Sequence, residues 1–286
     1  ASDCFDPAAC NQAVSGTRLA HVQLSPGSFH GRLVSAETGQ QRLDYGLYNL
    51  PLIARGEMPG DRITLGLQLR NSETTSFNGH IIQGQALVAL RENAPLEYQL
   101  APGAEWIAFQ ITRKHVERLG INPVNLPQTP VEASELTQLR TAQRALRFAV
   151  ATLSEIEVGR SPITAPEQLV DRVFSEVMDE FQGLFDAAGR ATINPPQSRA
   201  ADRRLVRAAI DAIDARLDEA LQIGGLCTEL NTSWRTLGRA FLRLLGMPPK
   251  RYIQLARLAE ARRLLLQYRR TGCSVAEIAS ACGISH

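Results

Sequence analysis

Residues 226–245 read LCTELNTSWRTLGRAFLRLL, and residues 278–286 read IASACGISH. Shifted by 52 positions, Leu226 falls on Ile278, Cys227 on Ala279, Asn231 on Gly283 and Ser233 on Ser285. Each copy is an apolar residue, a small residue, three further positions, Asn or Gly, and a serine two places on. A helix-turn-helix needs this spacing. The small residue lets the second helix cross close to the first, and Asn or Gly takes the left-handed conformation of the tight turn. The serine then caps the second helix.

In the first copy the second helix is expected over Trp234–Leu245, bounded by Gly246 and Pro248. Leu237, Phe241, Leu244 and Leu245 fall on its core face. Trp234, Arg235, Gly238, Arg239 and Arg243 are left on the other. Arginine pairs bidentately with guanine O6 and N7, and an indole packs on sugar or a thymine methyl. Ser233 and Thr236 belong to the helix start, whose backbone N–H groups suit a phosphate. The competing reading is a helical hairpin whose basic face is incidental.

Between the copies, Pro248–Arg270 has the period of one helix, with Tyr252, Leu255, Leu258, Ala259 and Leu265 expected in its core. About 20 residues at 1.5 Å each span about 30 Å, close to one DNA turn of about 34 Å. Two reading helices held on such a rod would meet successive major-groove segments. Lys250, Arg251, Arg257, Arg262 and Arg263 are the candidate phosphate contacts. Ser274 and Glu277 have capping-box spacing ahead of the second copy.

The charge distribution follows this division. Residues 1–120 carry a net −1, residues 121–195 a net −4 and residues 196–286 a net +7. A basic end of this kind suits a polyanion, most often nucleic acid, although a solvated basic face is the plain alternative. The 286 residues, 44% of them apolar, allow about two domains with real cores. Five cysteines without zinc-like spacing argue against a disulfide framework. The start, ASDCFDPAAC, has neither the basic nor the apolar part of a secretory leader, and no apolar run approaches the roughly 20 residues of a membrane span. The reading is a cytoplasmic protein with no membrane partner.

Upstream, about Arg18 to Gln110 is β-like: short apolar runs broken by Pro26-Gly27, Pro59-Gly60-Asp61, Asn78-Gly79 and Pro102-Gly103 predict a sandwich or small barrel. A helix is expected at Thr112–Leu119. In Val131–Val158, Leu139, Leu146 and Leu153 fall seven apart, with Leu136, Gln143 and Val150 in a second row. This seam predicts either a dimer-forming helix or an ordinary core helix. A wide apolar helix should follow from Pro166 to about Ala188, introduced by Thr164 and Glu167 as a capping box. Asn194–Ser198 reads as a linker. The expected divisions are residues 1–130 (β-rich, sensory or regulatory), 131–193 (helical, dimerising), 194–198 (linker) and 199–286 (DNA-binding).

Phe29, Tyr45, Tyr48, Phe77, Tyr98, Trp106 and Phe109 could line a ligand cavity in the β half or simply form its core. His21, His30, His80 and His115 are scattered and form no metal-ligand pair. No nucleophile triad, P-loop or dinucleotide motif stands out. No catalytic residue, cofactor or metal is therefore assigned. Cys4 and Cys10 are expected in a loose N-terminus.

The stretch RTLGRAFLRLLGMPPKRYIQLARLAEARRLLLQYRRTGCSVAEIASACGIS resembles the double helix-turn-helix domain of the AraC/XylS family of bacterial transcription regulators. The resemblance covers about residues 199–286. It implies base-facing roles for Arg235, Gly238 and Arg239, with Gly238 departing from the larger polar residue usual there. It also implies an α+β fold: a β-barrel or jelly-roll-like N-terminal domain with dimerisation helices, then the all-α DNA-binding domain. Family members continue through a second recognition helix, whereas His286 falls on Trp234. The second unit is thus expected to be incomplete, and residues 271–286 poorly packed, with Val275 and Ile278 not both buried.

The function that follows is a dimeric, sequence-specific, non-enzymatic transcription regulator. Its partners would be double-stranded DNA, a second copy and RNA polymerase, with the β half sensing an unidentified small molecule or supporting the dimer. Three rivals remain: a regulator controlled by a protein partner, a barrel enzyme with an accessory DNA-binding tail, and a nonspecific architectural DNA binder.

Overall fold

The computed structural model describes residues 2–10, 14, 16–17, 19–39, 41–70, 75–82, 84–118, 123, 126, 130–132, 150–151, 175, 197–219, 221–268 and 274–284. The chain forms two compact units, residues 1–21 with 25–193, and residues 22–24 with 194–286.

The first unit is built from short strands: β1 (Ser2–Cys4), β2 (Ala20–Gln23), β3 (Gly31–Thr38), β4 (Gln41–Tyr48), β5 (Leu52–Glu57) and β6 (Arg62–Arg70). They continue with β7 (Thr75–Phe77), β8 (His80–Ile82), β9 (Ala86–Leu90), β10 (Pro95–Leu100), β11 (Glu105–Thr112) and β12 (Val131–Glu132). Their order is β1-β3-β4-β11-β6-β9-β12 in one sheet and β2-β5-β10-β7-β8 in the other. The expected Asn78-Gly79 turn joins β7 to β8, both residues at positive φ (46° and 73°), as a two-residue hairpin requires.

Cys4, Tyr48, Leu90 and Trp106 from the larger sheet share one core with Ala54, Tyr98 and Leu100 from the smaller. The two sheets therefore face each other as a β-sandwich. Register explains two of its glycines. Trp106 is opposite Gly46, where an added Cβ would lie 2.3 Å from the indole ring. Gly66 is opposite Val88, where it would lie 2.5 Å from a valine methyl.

Three expectations for this half need correction. The N-terminus is not loose at Cys4 and Cys10, which are 5% and 0% exposed, because β1 pairs with β3 and carries both into the core. Val131 and Glu132 are strand rather than helix, since β12 completes the free edge of β9. The helix after β11 is α1 (Arg113–Arg118), with Thr112, expected at its start, still in β11, and Leu119 outside the described residues. Of the seam residues, Val150 is helical and buried, whereas Leu136, Leu139, Gln143, Leu146 and Leu153 lie outside the described residues. So does the helix expected from Pro166, apart from Ser175, which is helical.

The second unit is helical: α2 (Gln197–Asp214), α3 (Ile223–Glu229), α4 (Trp234–Leu245), α5 (Pro249–Gln267) and α6 (Val275–Ala281). Helix α2 begins inside the stretch read as linker. It buries Val206, Ala209, Ile210 and Ile213, the period of an amphipathic helix. Phe241 of α4 and Tyr252 of α5 meet edge to face, their ring centroids 6.1 Å apart.

Helix α5 has two apolar faces. Its first half buries Tyr252, Ile253, Leu255 and Ala256. Its second half packs Ala261, Leu264 and Leu265 against Ile278 and Cys282. Tyr252 and Ala261 are about 180° apart around the axis. Leu258 lies on neither face and is 54% exposed, contrary to the expectation that it is core. Among the described residues, the second helix-turn-helix copy is half packed: Ile278 and Cys282 are buried, whereas Val275 is 68% exposed.

Candidate nucleic-acid interface

The repeat seen in the sequence recurs bond for bond. In the first copy, Leu230 N–H donates to the Leu226 carbonyl at 3.0 Å, Asn231 N–H to Thr228 at 3.2 Å and Thr232 N–H to Cys227 at 2.9 Å. In the second, Cys282 donates to Ile278 at 3.1 Å, Gly283 to Ser280 at 3.0 Å and Ile284 to Ala279 at 2.9 Å. Asn231 (φ 46°) and Gly283 (φ 64°) supply the left-handed residue at the matching point. These bonds satisfy the last carbonyls of the first helix and turn the chain towards the second.

Helix α4 then starts as its sequence requires. Ser233 Oγ accepts from Thr236 N–H at 3.1 Å, and the two hydroxyls are 2.9 Å apart. Gly246 (φ 68°) ends the helix, its N–H donating to Leu242 at 3.1 Å. The core face consists of Leu237, Ala240, Phe241, Leu244 and Leu245, all buried. The opposite face carries Trp234, 63% exposed, and the exposed Arg235, Arg239, Leu242 and Arg243. Gly238 lies between them, half-buried, and an added Cβ there would meet nothing within 4 Å. No packing among the described residues calls for a glycine at that point.

The candidate arginines do not share one environment. Arg235 and Arg239 form no ion pair among the described residues, nor do Lys250 and Arg251, which are exposed in the first turn of α5. Arg243 is held by Asp202 of α2, at 2.5 Å. Arg263 makes a two-pronged pair with Glu260, which keeps that carboxyl below the usual range.

Arg257 is not a free phosphate contact. Its guanidinium donates to the carbonyls of Leu217 (3.0 Å), Gly283 (2.8 Å) and Glu219 (2.5 Å). The Asp202 pair and the Arg257 clamp join residues 26 to 41 positions apart, and periodicity carries no sign of either. Glu277, by contrast, caps α6 as expected: its carboxylate accepts from Ser274 N–H at 2.8 Å and its own N–H donates to Ser274 Oγ at 3.2 Å.

Elsewhere, no His, Cys, Asp and Glu cluster among the described residues could hold a metal. No helix among them is long and apolar enough to cross a membrane. His21 is buried with Nε2 2.9 Å from the Tyr98 hydroxyl, and burial lowers its pKa to about 4. Of the aromatic residues considered for a cavity, Phe29, Tyr48, Phe77, Tyr98 and Trp106 share the sandwich core. Phe109 is also buried, whereas Tyr45 is half-buried and donates to Glu105 at 3.1 Å.

Residues 226–286 match the family model described as a helix-turn-helix domain. The chain is 35% identical over 161 residues to the HTH-type transcriptional activator RhaS of Pectobacterium atrosepticum, covering 55% of this chain and 50% of the relative. It is 39% identical over 71 residues to the HTH-type transcriptional regulator GbdR of Pseudomonas aeruginosa, covering 25% and 18%. The chain thus spans half or less of the length of these relatives. Among solved structures it is similar to the AraC-like transcriptional activator CuxR, at 16% identity over 96% of this chain and 93% of that one, with a TM-score of 0.34. The C-terminal residues of the chain are thus similar to the helix-turn-helix domains of these transcriptional regulators.

Proposed function

We propose that this protein is a sequence-specific DNA-binding transcription regulator that acts as a dimer. Helix α4 enters a major groove, where Arg235 and Arg239 read base edges and Trp234 packs beside them. Ser233 and Thr236 at the helix start, and Lys250 and Arg251 on α5, hold the backbone, and Arg243 borders the same face. The observation that carries this reading is the solvent-open, unpaired pair of arginines one helical turn apart, directly after a helix-turn-helix turn, in a segment of net +7.

Residues 131–193 supply the dimer contact through Leu136, Leu139, Gln143, Leu146, Val150 and Leu153. The second copy then binds at a raised effective concentration. The β-sandwich senses a small molecule, and its occupancy changes how the paired DNA-binding units engage an operator in the cytoplasm, with RNA polymerase as the downstream partner.

Selection of bound sites from random duplexes with the full chain tests the first claim. A recurrent two-part site is expected. Equal affinity for selected and random duplex would leave only nonspecific architectural binding.

A further inference from the structure

We propose that Trp234, Gly238 and Leu242 form an apolar notch on α4 that holds the methyl group of a thymine. This rests on the base-reading role proposed for α4, and it adds Gly238 and Leu242 as residues that set which base is read. The three lie four positions apart, each step turning about 40° around the axis and rising about 6 Å, so they make one continuous row. Arg235, Arg239 and Arg243 make a second row with the same spacing, one residue further on. Helix α4 thus carries an apolar row beside a basic one.

Trp234 and Leu242 are 63% and 55% exposed, although the other leucines of the helix, Leu237, Leu244 and Leu245, are buried. Gly238 sits midway between them, and a Cβ added there would meet nothing within 4 Å. The place of one methyl group is therefore open, with helix backbone as its floor. Side chains on a helix lean towards its N-terminus, so Leu242 leans over the turn that contains Gly238 without filling it. Trp234 stands one turn before the gap.

The floor of the major groove decides what such a notch can hold. Base edges there offer donors and acceptors, which suit the arginine row, and one apolar feature, the methyl group of thymine. A phosphate oxygen would lose water against an indole and a leucine and gain no bond in return. A protein surface or a second copy could also cover an apolar row. It would have to cover Arg235 and Arg239 as well, which form no ion pair among the described residues and lie in a segment of net +7. A duplex supplies acceptors to the basic row and a methyl group to the apolar one in the same approach.

The test uses the full chain and a duplex site selected from random sequence. Each thymine of that site is replaced in turn by deoxyuridine, which pairs identically and lacks only the methyl group. At one thymine of each half-site the affinity is expected to fall about fourfold, the worth of one buried methyl. Cytosine followed by 5-methylcytosine at the same position should recover that factor, since only the methyl returns. Leu242→Ala should narrow the thymine–uracil gap, and Gly238→Ala, which fills the notch, should abolish it. Neither variant should change the salt dependence, because neither removes a phosphate contact. A recurrent site whose thymines all tolerate deoxyuridine, or a gap that both variants leave intact, would overturn the notch while base reading stands, and would assign the apolar row to a protein surface instead. A selection that returns no recurrent site would remove base reading itself, and the notch with it.

Discussion

Arg243 Nη1 on α4 donates to Asp202 Oδ2 on α2 at 2.5 Å, so α4 is anchored through its last turn. The Asp202 side chain is largely buried and that of Arg243 is 42% exposed. Screening on the open side keeps such a pair to about 1 kcal/mol. Asp202→Asn and Arg243→Met should each lower unfolding stability by about that amount, and the double variant should lose little more than either alone. Additive losses in urea titrations would show that the pair contributes nothing.

Arg239 and Lys250 differ in what they are expected to touch. Arg239→Ala should weaken binding to a selected site by about 1–3 kcal/mol and relax base preference at one position. Lys250→Ala should weaken selected and random duplexes alike and flatten the salt dependence. Equal losses on both duplexes for Arg239→Ala would end its base-reading role.

Gly238 sits in mid-helix with open space over it. Gly238→Ala should raise stability by about 0.5–1 kcal/mol, because the glycine gives up more backbone freedom on folding. If α4 reads a groove as proposed, cognate binding should weaken at the same time, since the added methyl would stand between the helix and the duplex. A thermal melt and a binding isotherm on the same preparation check both parts. Higher stability with unaltered affinity would make the glycine incidental.

His21 is held neutral, with its pKa near 4 in the folded state and near 6.5 in the unfolded chain. Above pH 6.5 both states are deprotonated and stability is unaffected. Between 6.5 and 4 only the unfolded chain takes up the proton, so stability falls with falling pH, by about 3 kcal/mol in all, and levels off below 4. His21→Gln should remove that component while leaving the carboxylates to titrate. Parallel stability–pH curves for the two proteins would contradict the assignment.

Arg257→Met removes three charge-assisted bonds to backbone carbonyls. Bonds of this kind contribute about 1.5 kcal/mol each when buried, and the partial exposure of these three reduces the expected overall loss to roughly 3 kcal/mol, without the flattened salt dependence on DNA that Lys250→Ala should show. A changed salt slope would return Arg257 to the phosphate contacts.

The parts legible in the sequence are those set by local rules. Asn231, Ser233, Gly246, Ser274 and Glu277 act through bonds spanning a few residues, and each is where the spacing puts it. The turn-punctuated runs gave the strands, because alternation and turn chemistry are also local. What was missed depends on distant partners. Cys4 is buried because β3 pairs with β1, Val131 is extended because β9 has a free edge, and Leu258 is exposed because α5 turns different faces to different neighbours. Arg257 resembled Lys250 in sequence, and only the carbonyls of Leu217, Glu219 and Gly283 set them apart.

Two of those carbonyls stand just after α2 and the third just after α6, and one guanidinium gathers them at the middle of α5. Loosening of the chain behind either helix strips bonds from the same side chain, so a change at one is felt at the other. Native-state hydrogen exchange should therefore report α2 and α6 opening together, as a single cooperative block rather than as two independent tails.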